Sequence, residues 1–256
     1  MRLTILGSGT AILDLKRNAP SFLLEFDNGK NALLDIGPGS IKRLLELGKT
    51  INDIDYLFLS HFHPDHSLDL IYLLFLLKNN KYLNEDKNIQ MVIFASKEFE
   101  TFYNNLIKTF DNETNAGDKI VFTNIDDGDI ELDNIKISAI KVKHKEESRA
   151  FKIQHNNKTL VYSGDTGYDG ELENNLGKFA KNVDLFLLEC AFSDEYPPRV
   201  HLNPTAVGKI AQKTNPKKLV LFHFYPKVQK TDIKGTINKY YNGNIILSED
   251  KMEIEI

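Results

Sequence analysis

The sequence predicts an α/β protein. Short apolar runs of strand length alternate with segments of helical period through the first half of the chain. Its 256 residues, 41% of them hydrophobic, suffice to bury a full core, as one large domain or two small ones. No Pro/Gly/Ser-rich stretch, low-complexity tract or repeat divides the chain, and its candidate site residues come from both halves, which favours a single domain over residues 1–256.

The first half reads as strands near residues 2–6, 21–26 and 31–36, a helix through Ile41 to Leu47, the strand Tyr56-Leu57-Phe58-Leu59 and a helix after His66. A strand from Gln90 to Phe94 precedes a helical stretch through Glu98 to Thr109. The second half is richer in strands, near 119–123, 129–132, 135–143, 149–155, 159–163 and 183–189. His155-Asn156-Asn157-Lys158 reads as the turn of a hairpin, which gives His155 a structural role. Asn203-Pro204 supplies an N-cap and a first-turn proline for a helix through Thr205 to Gln212, and the strand Leu219-Val220-Leu221-Phe222 follows. This order of elements does not by itself fix a topology.

One segment carries chemistry. Ser60-His61-Phe62-His63-Pro64-Asp65-His66 gathers three imidazoles and a carboxylate directly after an apolar strand. Side chains alternate along an extended chain, so His61 and His63 face the same way and can share one ion. Asp65 and His66 fall where the chain turns into the apolar segment after them, within reach of a second ion. Histidine is the commonest metal ligand, and the pattern reads as a dinuclear site.

That segment resembles the His-x-His-x-Asp-His signature of the metallo-β-lactamase superfamily, here His61, His63, Asp65 and His66. The resemblance asks for further ligands at strand ends, and His144 after 135–143, Asp165 in Ser163-Gly164-Asp165-Thr166 and His223 after Phe222 fill those places. It implies a four-layer αββα sandwich with the site along one edge. It also implies that His61, His63 and His144 bind one ion, that Asp65, His66 and His223 bind the other, and that Asp165 bridges them. Three imidazoles suit zinc, while the more carboxylate-rich set also accepts manganese or iron. Such a pair of ions activates water for hydrolysis, with Asp65 placed to orient it or take its proton.

The ribonuclease Z-like branch of that superfamily carries a non-ligand histidine paired with an acid after the preceding strand. Here these are His201 and Glu189, a pair that could protonate a leaving alkoxide. Lys16-Arg17-Asn18 resembles a basic motif of the same branch and makes Arg17 a candidate phosphate contact. Ribonuclease Z extrudes a long transfer-RNA arm between its third histidine and the bridging aspartate. Residues 145–164 leave room for little more than a hairpin, and Pro64 stands where that enzyme has glycine. Both departures shift the expected substrate from transfer RNA toward a nucleotide or small phosphodiester such as a cyclic nucleotide, with RNA also open. The competing expectations are a thioester or lactam hydrolase on the same scaffold, and a metal-binding interaction protein without activity.

A net charge of -4 disfavours a grip on long nucleic acid. Gly7-Ser8-Gly9-Thr10 lacks the third glycine and the βαβ setting of a dinucleotide loop. The N-terminus lacks the pattern of a signal peptide, and the longest apolar run, Leu70 to Leu77, is too short to span a bilayer, so a soluble cytoplasmic protein is expected. That run reads as a buried core helix, with a homodimer face as the alternative. The single cysteine, Cys190, excludes an internal disulfide and reads as core packing.

Overall fold

The two halves of the chain each build most of one sheet. The computed structural model describes residues 1–79, 90–126, 128–168 and 170–256. The first sheet holds β1 (Arg2–Gly7), β2 (Ser21–Glu25), β3 (Asn31–Leu34), β4 (Tyr56–Phe58), β5 (Met91–Ala95) and β6 (Ile120–Asn124). The second holds β7 (Ile130–Leu132), β8 (Ile135–Lys141), β9 (Arg149–His155), β10 (Lys158–Tyr162), β11 (Leu185–Glu189), β12 (Lys218–Phe222) and β13 (Asn244–Leu247). The last strand, β14 (Glu253–Glu255), crosses back to pair with β1, so the first sheet runs β14-β1-β2-β3-β4-β5-β6 and the second β13-β12-β11-β10-β9-β8-β7.

Strands buried on both faces have near-continuous apolar sequences, and β11 and β12 follow that rule. Leu185 and Leu187 of β11, with Val220 and Phe222 of β12, point into the core between the sheets. Phe186, Leu188, Leu219 and Leu221 alternate to the other face. The inner core is largely aromatic: Phe22 lies edge-on to Tyr162 and to Phe222 at 5.5 and 5.1 Å, and Phe58 meets Phe151 at 5.3 Å, each pair joining one sheet to the other.

Helices cover both outer faces. On the first sheet lie α1 (Ser40–Glu46), α3 (Asp69–Lys78) and α4 (Phe99–Thr109), after the single turn α2 (Pro64–Ser67). On the second lie α5 (Gly170–Phe179), α6 (Pro204–Thr214) and α7 (Ile233–Ile237). The result is the four-layer αββα sandwich of the metallo-β-lactamase fold. Helix α3 buries Leu70, Leu73, Leu74 and Leu77 while leaving Tyr72 and Phe75 exposed, so Leu70 to Leu77 is a core helix on one face only. Among the described residues no helix is long and apolar enough to cross a membrane. Cys190 is buried, and burial pushes its thiol well above its ordinary range, as a packing residue requires.

The strands β13 and β14 and the helices α5 and α7 escape the sequence reading. β14 has three residues and α7 five, too few to show a period, and α5 mixes glycine and asparagine into its turns. The expected strand 135–143 ends at Lys141, two residues earlier, which frees the chain to turn at His144.

Candidate metal centre

Parallel strands place their C-terminal ends on one side, and loops leaving those ends form the usual site of an open α/β sheet. In the first sheet β3 and β4 run parallel, delivering Asp35 and His61. In the second β10, β11 and β12 run parallel, delivering Asp165, Glu189 and His223. His144 follows the antiparallel β8. The two sets of loops meet along one edge of the sandwich.

After β4 the chain stays extended, so His61 and His63 share a side while Phe62 points away and stacks on Phe102 at 4.6 Å. His63 caps α2, whose first turn carries Asp65 and His66. The ring nitrogens then converge. His63 Nδ1 lies 3.1 Å from both His61 Nε2 and His144 Nε2, with Asp165 Oδ2 3.8 and 3.9 Å from those two Nε2 atoms. His223 Nε2 lies 3.4 Å from both His66 Nε2 and Asp65 Oδ2. Asp165 faces both groups, Oδ1 at 3.2 Å from His66 Nε2 and Oδ2 at 3.5 Å from His223 Nε2. Within each set, His61-His63-His144-Asp165 and Asp65-His66-His223, the ligand atoms all lie within 4.8 Å of one another.

The donor set fits divalent cations. Burial holds His61 well below its ordinary pKa and His63 below it, and pushes His144 down to about 4, so three neutral lone pairs face one another. Asp165 Oδ1 and His223 Nδ1 are buried with no hydrogen-bond partner among the described residues. Burial opposes ionisation of Asp165, yet His223 and His66 outweigh it and hold the carboxyl well below its usual range. Burial likewise opposes charge on Asp65, and His223 outweighs it in the same direction.

The supporting groups set the tautomers. The wholly buried Asp35 accepts from Ser60 N at 2.7 Å, Ser60 Oγ at 2.6 Å, Tyr162 Oη at 2.5 Å and His66 Nδ1 at 2.6 Å. Ser60 Oγ in turn accepts from His61 Nδ1 at 3.0 Å, and the Val200 carbonyl from His144 Nδ1 at 2.8 Å. In all three rings the outward nitrogen is spent on the protein, leaving Nε2 for a ligand bond. Sequence reasoning missed Asp35, although an acid directly after an apolar run, as in Leu33-Leu34-Asp35, is the signal that also marks Glu189.

The backbone is shaped for this purpose. Gly164 has φ +56, and a Cβ there would lie 2.6 Å from Ser60 Cβ. His223 itself adopts a left-handed φ of 66, held by its amide bonding to the Ser8 carbonyl at 3.0 Å. A Cβ on Gly7 would meet the Ala19 carbonyl oxygen at 1.8 Å, so the Gly7-Ser8-Gly9 turn serves close packing beside the ligand loop.

Glu189 and His201 are brought together beside this cluster of histidines and aspartates. His201 Nδ1 lies 3.1 Å from Glu189 Oε1 and 3.7 Å from Asp165 Oδ2. Burial disfavours the imidazolium, but Glu189 and Asp165 outweigh it and push the pKa of His201 up to about 9. Glu189 is fixed by the amides of Thr166 and Leu202 at 2.7 and 3.1 Å, so it also staples two site loops. Arg17 lines a cavity of about 180 Å³ together with Asp65 and Pro64. Its Nη1 donates to Ser8 Oγ and the Ser248 carbonyl at 2.6 and 2.7 Å, and its guanidinium lies over Phe224. His155 stands apart: it is buried in the β9–β10 hairpin, bonded to the Asn134 carbonyl and to Asn156. Asn156 and Asn157 adopt the left-handed φ values of 48 and 61 that a tight hairpin turn demands.

The chain is 23% identical to an uncharacterized protein of Mycobacterium tuberculosis, covering 99% of this chain and 92% of the other. It is 22% identical to ribonuclease Z of Thermoplasma acidophilum, covering 100% and 96%. Among solved structures, the metallo-β-lactamase fold protein YhfI from Bacillus subtilis superposes with a TM-score of 0.83 at 18% identity, over 99% and 98% of the two chains. Residues 1–246 match the family described as anti-Pycsar protein Apyc1, and the chain belongs to that family.

Proposed function

We propose that this protein is a metal-dependent phosphodiesterase acting on a small phosphodiester, most simply a cyclic nucleotide. The observation that carries the reading is the Glu189–His201 pair, 3.1 Å apart and set against Asp165 beside the ligand cluster. In this reading His61, His63 and His144 hold one ion, Asp65, His66 and His223 the other, and Asp165 is shared. Two divalent ions, zinc by the preference of the imidazole-rich set and manganese or iron by that of the second, would lower the pKa of water and neutralise phosphoryl charge.

The chain's own groups divide the proton transfers. Asp65 takes the proton of the attacking water as its oxygen adds to phosphorus. His201 has Nδ1 committed to Glu189, so its transferable proton sits on Nε2. As the P–O bond breaks, that proton passes to the departing alkoxide oxygen, and Glu189 steadies the ring. Arg17, clamped between Ser8 and Ser248 in the cavity it shares with Asp65, is our candidate for the phosphate side.

Two further features support the reading, the first of them for a small substrate. Residues 145–164 are taken up by β9 and β10 and their turns, which run within the sheet and leave no chain for a projecting arm. The similarity to ribonuclease Z of T. acidophilum, an enzyme named for RNA, supports phosphodiester chemistry in general.

The leaving group provides the test. A p-nitrophenolate departs without a proton, whereas a ribose alkoxide needs one. His201→Ala should therefore slow hydrolysis of a 3′,5′-cyclic nucleotide by about 10²–10⁴-fold and that of bis(p-nitrophenyl) phosphate far less. Equal losses on both substrates would remove His201 from proton donation.

A further inference from the structure

The half-buried Arg17 is held on every side but one. Its Nη1 donates to Ser8 Oγ and to the Ser248 carbonyl, its Nε donates to Gln229 Oε1 at 3.3 Å, and its guanidinium carbon lies 4.9 Å from the centre of the Phe224 ring. A guanidinium has five N–H groups, and these bonds use three of them. The two on Nη2 have no protein partner among the described residues, in a side chain that lines the cavity shared with Asp65.

What fixes Arg17 comes from the other end of the chain. Asp250 lies in the turn between β13 and β14, and its side chain is 6% exposed. Its Oδ1 accepts from Ser8 N at 2.9 Å and Ser8 Oγ at 2.8 Å, and its Oδ2 from Asn18 N at 2.7 Å and Arg43 Nη2 at 3.2 Å. Ser8 opens the loop between β1 and β2, and Asn18 adjoins Arg17 within it, so one carboxylate pins that loop at both places. The last strand does not depend on this side chain. Backbone bonds already fasten it, from Lys251 N to the Ile5 carbonyl at 2.7 Å and from Ile5 N to the Met252 carbonyl at 2.9 Å.

The chemistry of the three groups settles the order of protons. A carboxylate only accepts, a guanidinium only donates, and the Ser8 hydroxyl has one proton. That proton goes to Asp250, which leaves the lone pairs of Ser8 Oγ turned to Arg17. An uncharged side chain at position 250 would free the hydroxyl to rotate, and Arg17 would lose a fixed acceptor.

We propose that Asp250 is a positioning residue for phosphate binding: through Ser8 Oγ it locks the Arg17 guanidinium so that Nη2 is presented to the phosphoryl group. An arginine set in place beforehand loses less side-chain freedom when the anion binds, and the gain in affinity arises there.

The inference rests on the phosphodiesterase reading for the part given to Arg17, but phosphate binding itself requires no turnover. The experiment is titration calorimetry of the zinc-loaded protein with inorganic phosphate, carried through a double-mutant cycle. Arg17→Ala should weaken binding about ten-fold, as loss of one hydrogen bond from a charged group does. Ser8→Ala and Asp250→Asn should each weaken it about three-fold in the wild type, and neither should weaken it further once Arg17 is alanine. Ser8→Ala leaves the amide bond to Asp250 and the carbonyl bond to His223 in place, so its zinc content and melting temperature should stay near those of the wild type. A side chain that only braces the fold gives losses that persist without Arg17. Such persistent losses, or phosphate affinity untouched by Arg17→Ala or by both other substitutions, overturn the proposal. Coupled losses in a protein that hydrolyses no cyclic nucleotide keep the positioning role and remove the phosphodiesterase reading; hydrolysis of cyclic nucleotides with losses that persist in the Arg17→Ala background does the reverse.

Discussion

Asp35 and His66 are joined at 2.6 Å by a hydrogen bond from the ring Nδ1 to a carboxylate that is itself wholly buried. Burial works against charge on His66, but Asp165 and Asp35 together outweigh it and push its pKa well above the ordinary value. Through Ser60 the same carboxylate also orients His61, so one side chain presents a nitrogen from each ligand group. Asp35→Asn keeps the size and removes the charge. Metal affinity, read by competition with a chelator, should fall about 10–100-fold while the far-ultraviolet spectrum stays native. Wild-type affinity in a folded variant would deny Asp35 this part.

Gly164 is the hinge on which Asp165 is presented. Its φ of +56 and the 2.6 Å approach of a notional Cβ to Ser60 leave no room for a side chain. Gly164→Ala should destabilise the protein by about 1–3 kcal/mol and displace Asp165 and Ser60 together. A thermal melt and metal stoichiometry would register both effects; an unchanged melting temperature with two ions bound contradicts the packing described.

A pH-dependent contribution to stability sits behind His144. The mostly buried Arg149 bonds Asp126 at 2.5 Å and the Glu146 carbonyl at 2.8 Å, tying down the loop between His144 and β9. Burial raises the pKa of Asp126, but Arg149 more than offsets it, and the carboxyl lies below its ordinary value. A folded-state pKa that is depressed gives stability present above the unfolded pKa, near 3.9, and lost as pH falls through the folded value. Asp126→Asn should cost about 1–2 kcal/mol at pH 7, and the gap from wild type should close as acid is added below pH 4. A gap that widens in acid would reverse the sign of this interaction.

Much of the candidate site is legible in the sequence because its histidines and acids are tied to strand ends, and apolar strands announce themselves. His61, His63 and His144 each follow a run whose period gives its direction away, and the structure brings all three within ligand distance. What the sequence conceals is what depends on tertiary contact. Asp35 is one acid among many until the fold places it under His66. Phe192 and Tyr196 share the loop after β11 while Tyr225 lies on the loop after β12, and nothing in the sequence foretells that the three rings meet. The two missed strands complete sheet edges with only three or four residues each, pairing with partners far away in sequence.

The central claim is a two-ion phosphodiesterase, and it is tested most directly by loading the protein with zinc, counting ions per chain, and following hydrolysis of a 3′,5′-cyclic nucleotide beside Asp165→Ala. Two ions per chain, turnover by the wild type, and loss of both the second ion and the activity in the variant are expected. Two ions tightly bound with no phosphodiester turnover would contradict the claim.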